Sequence, residues 1–266
     1  MNISAALLAL RHGFPAKLCA VALLLGLAQG AGAQALWAQG QSPAPTEAER
    51  TAVETIVREY LLAHPEVIVE ALQSMQERER LAAEARQREG LQALRAELET
   101  SDTSPVMGNP EGDVTIVEFF DYRCPYCQRA AGMLSDVLGA DDRIRLVLKE
   151  WPILGPDSLV ASRAALAADL QGKYEALHQA IFAYNGDLTE TTILALAKSI
   201  GLDTERLQKD MNDPRVTAEI ERNQELARKL AIRGTPAFIV GETIVPGAVS
   251  PEELRALVAQ TREARG

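Results

Sequence analysis

Sulfur and imidazole are scarce in this chain. Of 266 residues, three are cysteine (Cys19, Cys124 and Cys127) and three are histidine. A structural zinc site takes four Cys or His ligands. Past residue 33 only His64 and His178 stand beside Cys124 and Cys127, and neither is near a cysteine in sequence. With no second C-x-x-C, zinc is disfavoured and no metal is expected on this count. Positive charge is also short, with 27 Lys and Arg against 37 Asp and Glu, a formal net charge of −10. That balance argues against nucleic acid as a partner. After the first 30 residues, no segment is apolar for the roughly 20 residues needed to span a bilayer.

The amino end differs from the rest. Arg11, His12 and Lys17 precede an uncharged apolar run from Leu18 to Ala28, and Ala31-Gly32-Ala33 follows. A basic stretch, a short apolar run and an A-x-A site predict a secretory signal peptide over residues 1–33, with cleavage after Ala35 as the alternative. The run is too short for a membrane anchor. Cys19 would leave with this segment, and because the apolar run follows it, a lipoprotein site there is disfavoured. Cleavage also removes Arg11 and Lys17 but no acid, leaving 25 basic against 37 acidic side chains.

Residues 34–45, rich in Gln, Ala, Gly and Pro, read as a flexible leader. Thr46-Glu47-Ala48-Glu49 has the capping-box form, and Val53, Ile56, Val57, Tyr60 and Leu61 follow at helical spacing. Pro65 ends that helix near His64 and suits the start of another. Val67, Ile68, Ala71, Leu72 and Met75 line the second helix. From Glu77 to Glu89 the apolar pattern thins to Leu81, and after Gly90 it resumes at Leu91, Leu94 and Leu98. Residues 46–99 therefore read as a helical segment and stalk whose apolar side needs a partner. That partner is either the chain's own C-terminal domain or a second copy, and the intervening charged stretch favours a copy.

Residues 100–110 look like a boundary, opening a domain that runs to residue 266. Val114 to Phe120 and Ile144 to Leu148 have strand composition, and Gln128 to Leu138 reads as a helix between them. A mainly helical region occupies about 155–232, with breaks at Gly172, Asn185-Gly186, Gly201 and Asp213-Pro214. Ala237 to Val240 and Thr243 to Val245 flank Gly241-Glu242 as a hairpin, and Ser250-Pro251 opens a last helix. The class is α/β, in the order strand, helix, strand, helical insert, hairpin, helix.

Cys124-Pro125-Tyr126-Cys127 falls between the first strand and its helix. At a helix N-terminus the backbone N–H groups and the helix dipole favour a thiolate, which is the nucleophilic form. A second thiol one turn on can attack a mixed disulfide and release whatever the first has captured. An inert structural disulfide is the weaker reading, since so short a loop removes little unfolded-chain entropy. A two-thiolate Cu(I) site at Cys124 and Cys127 stays open beside the redox reading, because soft thiolates favour that ion.

Residues Glu118 to Cys127 (EFFDYRCPYC) resemble the active-site strand and helix of the DsbA family of periplasmic thioredoxin-fold proteins. Gly234-Thr235-Pro236 is similar to that family's cis-proline loop, and the 108 residues between Cys127 and Pro236 leave room for its inserted helical domain. The segment from Val57 to Val67 resembles the leading helices of the ScsC, or suppressor-of-copper-sensitivity, branch. The resemblance implies a thioredoxin fold with an inserted helical domain, preceded by an N-terminal helical oligomerisation segment.

It also implies a periplasmic thiol–disulfide oxidoreductase without a cofactor other than its own redox-active disulfide. Cys124 would attack, Cys127 would resolve, Pro236 would lie against the disulfide, and Thr235 would match isomerase-type relatives. Glu118 would be the buried acid that relays protons, with Lys149 its expected partner. Phe119, Phe120 and Tyr122 read as packing, and His178 as a surface or satisfied partly buried side chain. The Pro-Tyr dipeptide differs from the Pro-His of DsbA, so a strongly oxidising potential does not follow. Implied partners are exported cysteine-containing proteins, a membrane electron donor or acceptor, and further copies of the chain, a trimer on the ScsC resemblance. Isomerase or reductase is preferred over DsbA-like oxidase, with copper tolerance the alternative role.

Overall fold

The computed structural model describes residues 44–99 and 103–264. The expected signal peptide, with Cys19, and nearly all of the expected leader lie outside them. Helix α1 (Glu47–Ala63) starts as its sequence dictates. The Thr46 hydroxyl accepts from the Glu49 N–H, and the Glu49 carboxylate accepts from the Thr46 N–H at 2.8 Å. The chain leaves α1 at His64, and α2 (Glu66–Glu99) then runs for 34 residues.

The chain divides into two compact units between Gln73 and Ser74, inside α2. This corrects the expected boundary at residues 99–100. The physical reason is that Leu91 and Leu98 on the last turns of α2 are almost fully buried in the core of the second unit. In the first unit no side chain of α1 is buried, and Val53, Ile56, Val57 and Tyr60 are at least half exposed.

The second unit is built on a five-stranded sheet. Its strands are β1 (Val106–Gly108), β2 (Val114–Phe120), β3 (Ile144–Glu150), β4 (Ala237–Val240) and β5 (Thr243–Pro246), in the order β1-β3-β2-β4-β5. Strands β2 and β3 are parallel and the other pairings antiparallel. All seven residues of β2 are buried, as expected of a central strand covered on both faces. β1 was not foreseen, because a three-residue edge strand carries almost no pattern. Gly112 before β2 stands where a Cβ would lie 2.6 Å from the Arg143 carbonyl oxygen, so only glycine fits that approach. Gly241 takes φ 60° in the two-residue turn between β4 and β5.

The two faces of the sheet bury different sets. Val114, Ile116, Phe120, Leu146 and Leu148 meet α3 (Pro125–Ala140), α9 (Pro251–Glu263) and the alanine-rich α4 (Pro156–Asp169). Val117, Phe119, Val147 and Trp151 meet α8 (Pro214–Lys229) and the end of α2. Between α4 and α8 lie α5 (Tyr174–Ala183), α6 (Glu190–Ser199) and α7 (Thr204–Asp210). Helices α4 to α8 thus form an insert between β3 and β4, and the breaks between them fall where the glycine and Asp-Pro signals put them. The result is a thioredoxin topology with an inserted helical domain. It brings the ends of β2 and β3 and the start of β4 to one edge of the sheet.

Candidate active site

That edge carries the two thiols. Strand β2 ends at Phe120, Asp121 to Arg123 turn the chain, and Cys124 becomes the N-cap of α3 with Pro125 behind it. Asp121 fixes the turn. Its buried carboxylate accepts from the N–H groups of Arg123, Ile153 and Leu154 at 2.7–2.9 Å and from the Ser158 hydroxyl at 2.7 Å. One acid thereby ties the approach to Cys124 to the loop after β3.

Both cysteines are free thiols, Cys124 5% exposed and Cys127 fully buried. The Cys124 Sγ lies 3.2 Å from the carbonyl oxygen of Thr235, and the Thr235–Pro236 bond is cis. Four of the five residues read as site candidates from sequence, Cys124, Cys127, Thr235 and Pro236, therefore sit at the same edge. Burial pushes the Cys127 thiol up, and nearby Glu118 raises it further. Cys127 thus holds its proton at neutral pH and needs a base before it can attack.

Glu118, the fifth candidate, is 2% exposed and shares its face of the sheet with Ile116 and Phe120. Burial, and then the charges of Glu150 and Cys124, raise its carboxyl to about 8. The expected pairing with Lys149 is wrong. Strand residues alternate faces, so Lys149 emerges with Val147 and Trp151 on the side opposite Glu118. There its ammonium donates to Ser104 Oγ at 2.7 Å and to the Glu97 carbonyl at 3.1 Å, and burial lowers it to about 8.

Sequence reasoning passed over a second buried acid. Glu150, at the end of β3, is fully buried; desolvation pushes its carboxyl up, and its hydroxyl partners pull against that. Its Oε1 accepts from the hydroxyls of Tyr122 (3.0 Å) and Tyr174 (2.8 Å), and its Oε2 from Ser162 (2.7 Å). The Tyr122 oxygen also lies 2.9 Å from His178 Nδ1. His178 is 4% exposed and burial lowers it to about 3, so it is neutral. A glutamate after a strand reads as solvated, and only its partners from α4 and α5 reveal otherwise. Tyr122, read as packing alone, carries a polar link as well.

Beside Cys124 a cleft of about 240 Å³ opens between α3 and the end of α5, lined by Arg123, Gln128, Tyr184 and Asn185 among others. Gln128 donates to the Phe182 carbonyl at 2.8 Å, holding the two helices together at its base. At the rim, Arg123 pairs with Asp157 at 3.2 Å, and exposed Tyr126 lies under the Arg129 guanidinium. The arrangement offers one thiol at a helix N-terminus, a second buried one turn on, and a buried acid near enough to act on the second thiol electrostatically. Among the described residues, no three or more His, Cys, Asp or Glu side chains gather as a metal site. A soft ion would have the two thiols alone.

Residues 115–259 match the model of the DSBA-like thioredoxin domain, and residues 49–82 that of the copper resistance protein ScsC N-terminal domain. A thioredoxin-like oxidoreductase from Silicibacter pomeroyi is 51% identical, with a TM-score of 0.63 over 64% of this chain and 98% of that one. A linker-deletion variant of Proteus mirabilis ScsC is 29% identical, with a TM-score of 0.63 over 84% of this chain and all of that one. Among curated relatives, the Na(+)/H(+) antiporter NhaA 1 of Salinispora arenicola is 32% identical over 159 residues. Those residues are 59% of this chain, which spans only about a quarter of that antiporter's length.

Proposed function

Because the chain belongs to the DsbA-like thioredoxin family and is a thiol–disulfide oxidoreductase, we propose that it works on exported proteins, as a disulfide isomerase or reductase. The observation that carries the reading is Cys124 at the N-terminus of α3 with its sulfur against Thr235, and Cys127 buried one turn on. Isomerisation needs Cys124 reduced, so that its thiolate attacks a wrong disulfide while Cys127 stands by to release the client. Thr235 before the proline supports isomerase-type chemistry over DsbA-like oxidation. Residues 1–33 would direct export to the periplasm, where a membrane protein would supply or take electrons.

The exposed apolar side chains of α1 and early α2 support assembly of several copies through residues 46–99, with a trimer as the ScsC-like expectation. Because Leu91 and Leu98 belong to the second unit's core, the informative deletion ends at residue 73. Refolding of a scrambled disulfide protein should require Cys124. It should also fall sharply when residues 34–73 are removed and light scattering shows a monomer. Full isomerase activity in that monomer would refute the assembly argument.

The match of residues 49–82 favours a second reading, a copper-tolerance protein that holds Cu(I) between Cys124 and Cys127. Tight Cu(I) binding without catalysed thiol exchange would support it. Antiport is not carried over from the curated relatives, since the likeness covers a quarter of their length. No described helix is long and apolar enough to cross a membrane.

A further inference from the structure

We propose that Glu150 is a positioning residue for thiol exchange: its carboxylate, held by three hydroxyl donors, keeps the proton on Glu118 and so governs proton transfer at Cys127. The inference rests on the oxidoreductase reading above and extends it to a residue outside the C-x-x-C motif and the cis-proline loop.

The two acids are one diagonal step apart on one face of the sheet, since Glu118 is in register with Leu148, and Phe120 with Glu150. Two negative charges on one dry face are strongly disfavoured, so a single proton is shared unequally. Glu150 accepts from Tyr122, Tyr174 and Ser162, whereas Glu118 has no side-chain hydrogen-bond partner among the described residues. Hydrogen bonds to a carboxylate favour its charged form. The anion therefore settles on Glu150 and the proton on Glu118.

Other groups facing this pair come from the elements packed around it. Strand β2 and its turn contribute Tyr122 and Asp121, and α3 contributes Cys124 and Cys127. Helix α4 contributes Ser162, and α5 contributes Tyr174 and neutral His178. Helix α8 contributes the uncharged Asn223, whose amide donates to the Glu150 backbone carbonyl. Lys149 points to the other face.

In the exchange, a client thiolate attacks Sγ of Cys124 in the oxidised protein. The new S–S bond forms, the Cys124–Cys127 bond breaks, and Cys127 leaves with the electron pair and takes the proton from the Glu118 carboxyl. In reverse, the Cys127 thiol returns its proton to the Glu118 carboxylate and attacks Sγ of Cys124, and the client leaves as thiolate. A charge on Glu150 raises the proton affinity of Glu118 and sets the pH at which release becomes fast.

The test uses the full chain labelled with carboxyl-¹³C glutamate, with the Glu118 signal assigned by its loss in Glu118→Gln. In Glu150→Gln the Glu118 titration midpoint should fall by about one pH unit or more, a tenfold change in proton affinity. The pH profile for release of a cysteine peptide from its mixed disulfide with Cys124 should move down by the same amount. Adding Glu150→Gln to Glu118→Gln should leave that profile unmoved. An unmoved Glu118 midpoint, or an equal profile shift without Glu118, would overturn the proposal. If Glu150→Gln does not fold, Tyr174→Phe and Ser162→Ala each remove one donor and should lower the Glu118 midpoint by less; no movement in either overturns it. A wild-type protein that forms no mixed disulfide at any pH would refute the oxidoreductase reading instead, a failure visible apart from the carboxyl titration.

Discussion

The Sγ of Cys124 donates to the carbonyl oxygen of Thr235 across 3.2 Å of space and 111 residues of sequence. The start of α3 and the loop before β4 thus share one sulfur, while the other thiol is sealed beneath it. On the proposed reading, Cys124 at the helix N-terminus attacks and Cys127 resolves. Cys124→Ser should abolish turnover of a disulfide peptide, by more than about a hundredfold, because it removes the proposed nucleophile. Cys127→Ser should instead accumulate mixed disulfides with client proteins, visible on non-reducing gels. Equal trapping by both variants would contradict the assignment.

Asp121, itself buried, holds the loop after β3 through the part-buried N–H groups of Ile153 and Leu154 and the buried Ser158 hydroxyl. Hydrogen bonds to a charged group contribute about 1.5–3 kcal/mol each, and orphaned donors add a penalty. Asp121→Ala should therefore destabilise the fold by about 3 kcal/mol or more in urea unfolding. A loss below 1 kcal/mol would mean that the carboxylate does not organise this loop.

Leu98 is 2% exposed, packed with Val117, Phe119 and Trp151 under the sheet. Its truncation to alanine should cost about 2–5 kcal/mol, the range for buried leucines. The same change at Leu62, 73% exposed in the first unit, should leave the urea midpoint of the second unit unchanged.

Buried Glu118 gives stability a pH dependence of definite sign. An unfolded chain loses its proton near the ordinary 4.5, whereas the fold keeps it to about 8. Its contribution to folding is complete below about pH 4.5 and fades as pH rises toward 8. The thermal midpoint of Glu118→Gln should accordingly fall less than that of the wild type between pH 5 and 8.5. Parallel curves would show that Glu118 is ionised in the fold at neutral pH.

Much of this was written locally in the chain. The capping box at Thr46, the apolar run of β2, the Gly241 turn and the glycine and Asp-Pro breaks of the insert are short-range signals, and each marks an element where it was expected. The errors were long-range. Leu91 and Leu98 look like a continuing amphipathic stalk until α8 and the sheet supply their partners. Lys149 is the partner the family resemblance implies for Glu118, but the two side chains emerge on opposite faces of the sheet. Glu150 was invisible for the same reason, since its three hydroxyl donors come from positions 12 to 28 residues away.

Lys149 and Glu150 are consecutive residues, both fully buried, one on each face of β3. A slip of this strand by one position would carry every side chain to the other face. The amine would then enter the carboxylate's hydroxyl cage, and the carboxylate would meet the Glu97 carbonyl and Ser104, whose hydroxyl is bound to Glu219. Mispairing in a purely apolar central strand is resisted mainly by shape, but here two buried charges of opposite sign act as a key. The register of the strand that frames the candidate site is thereby specified by charge as well as by shape.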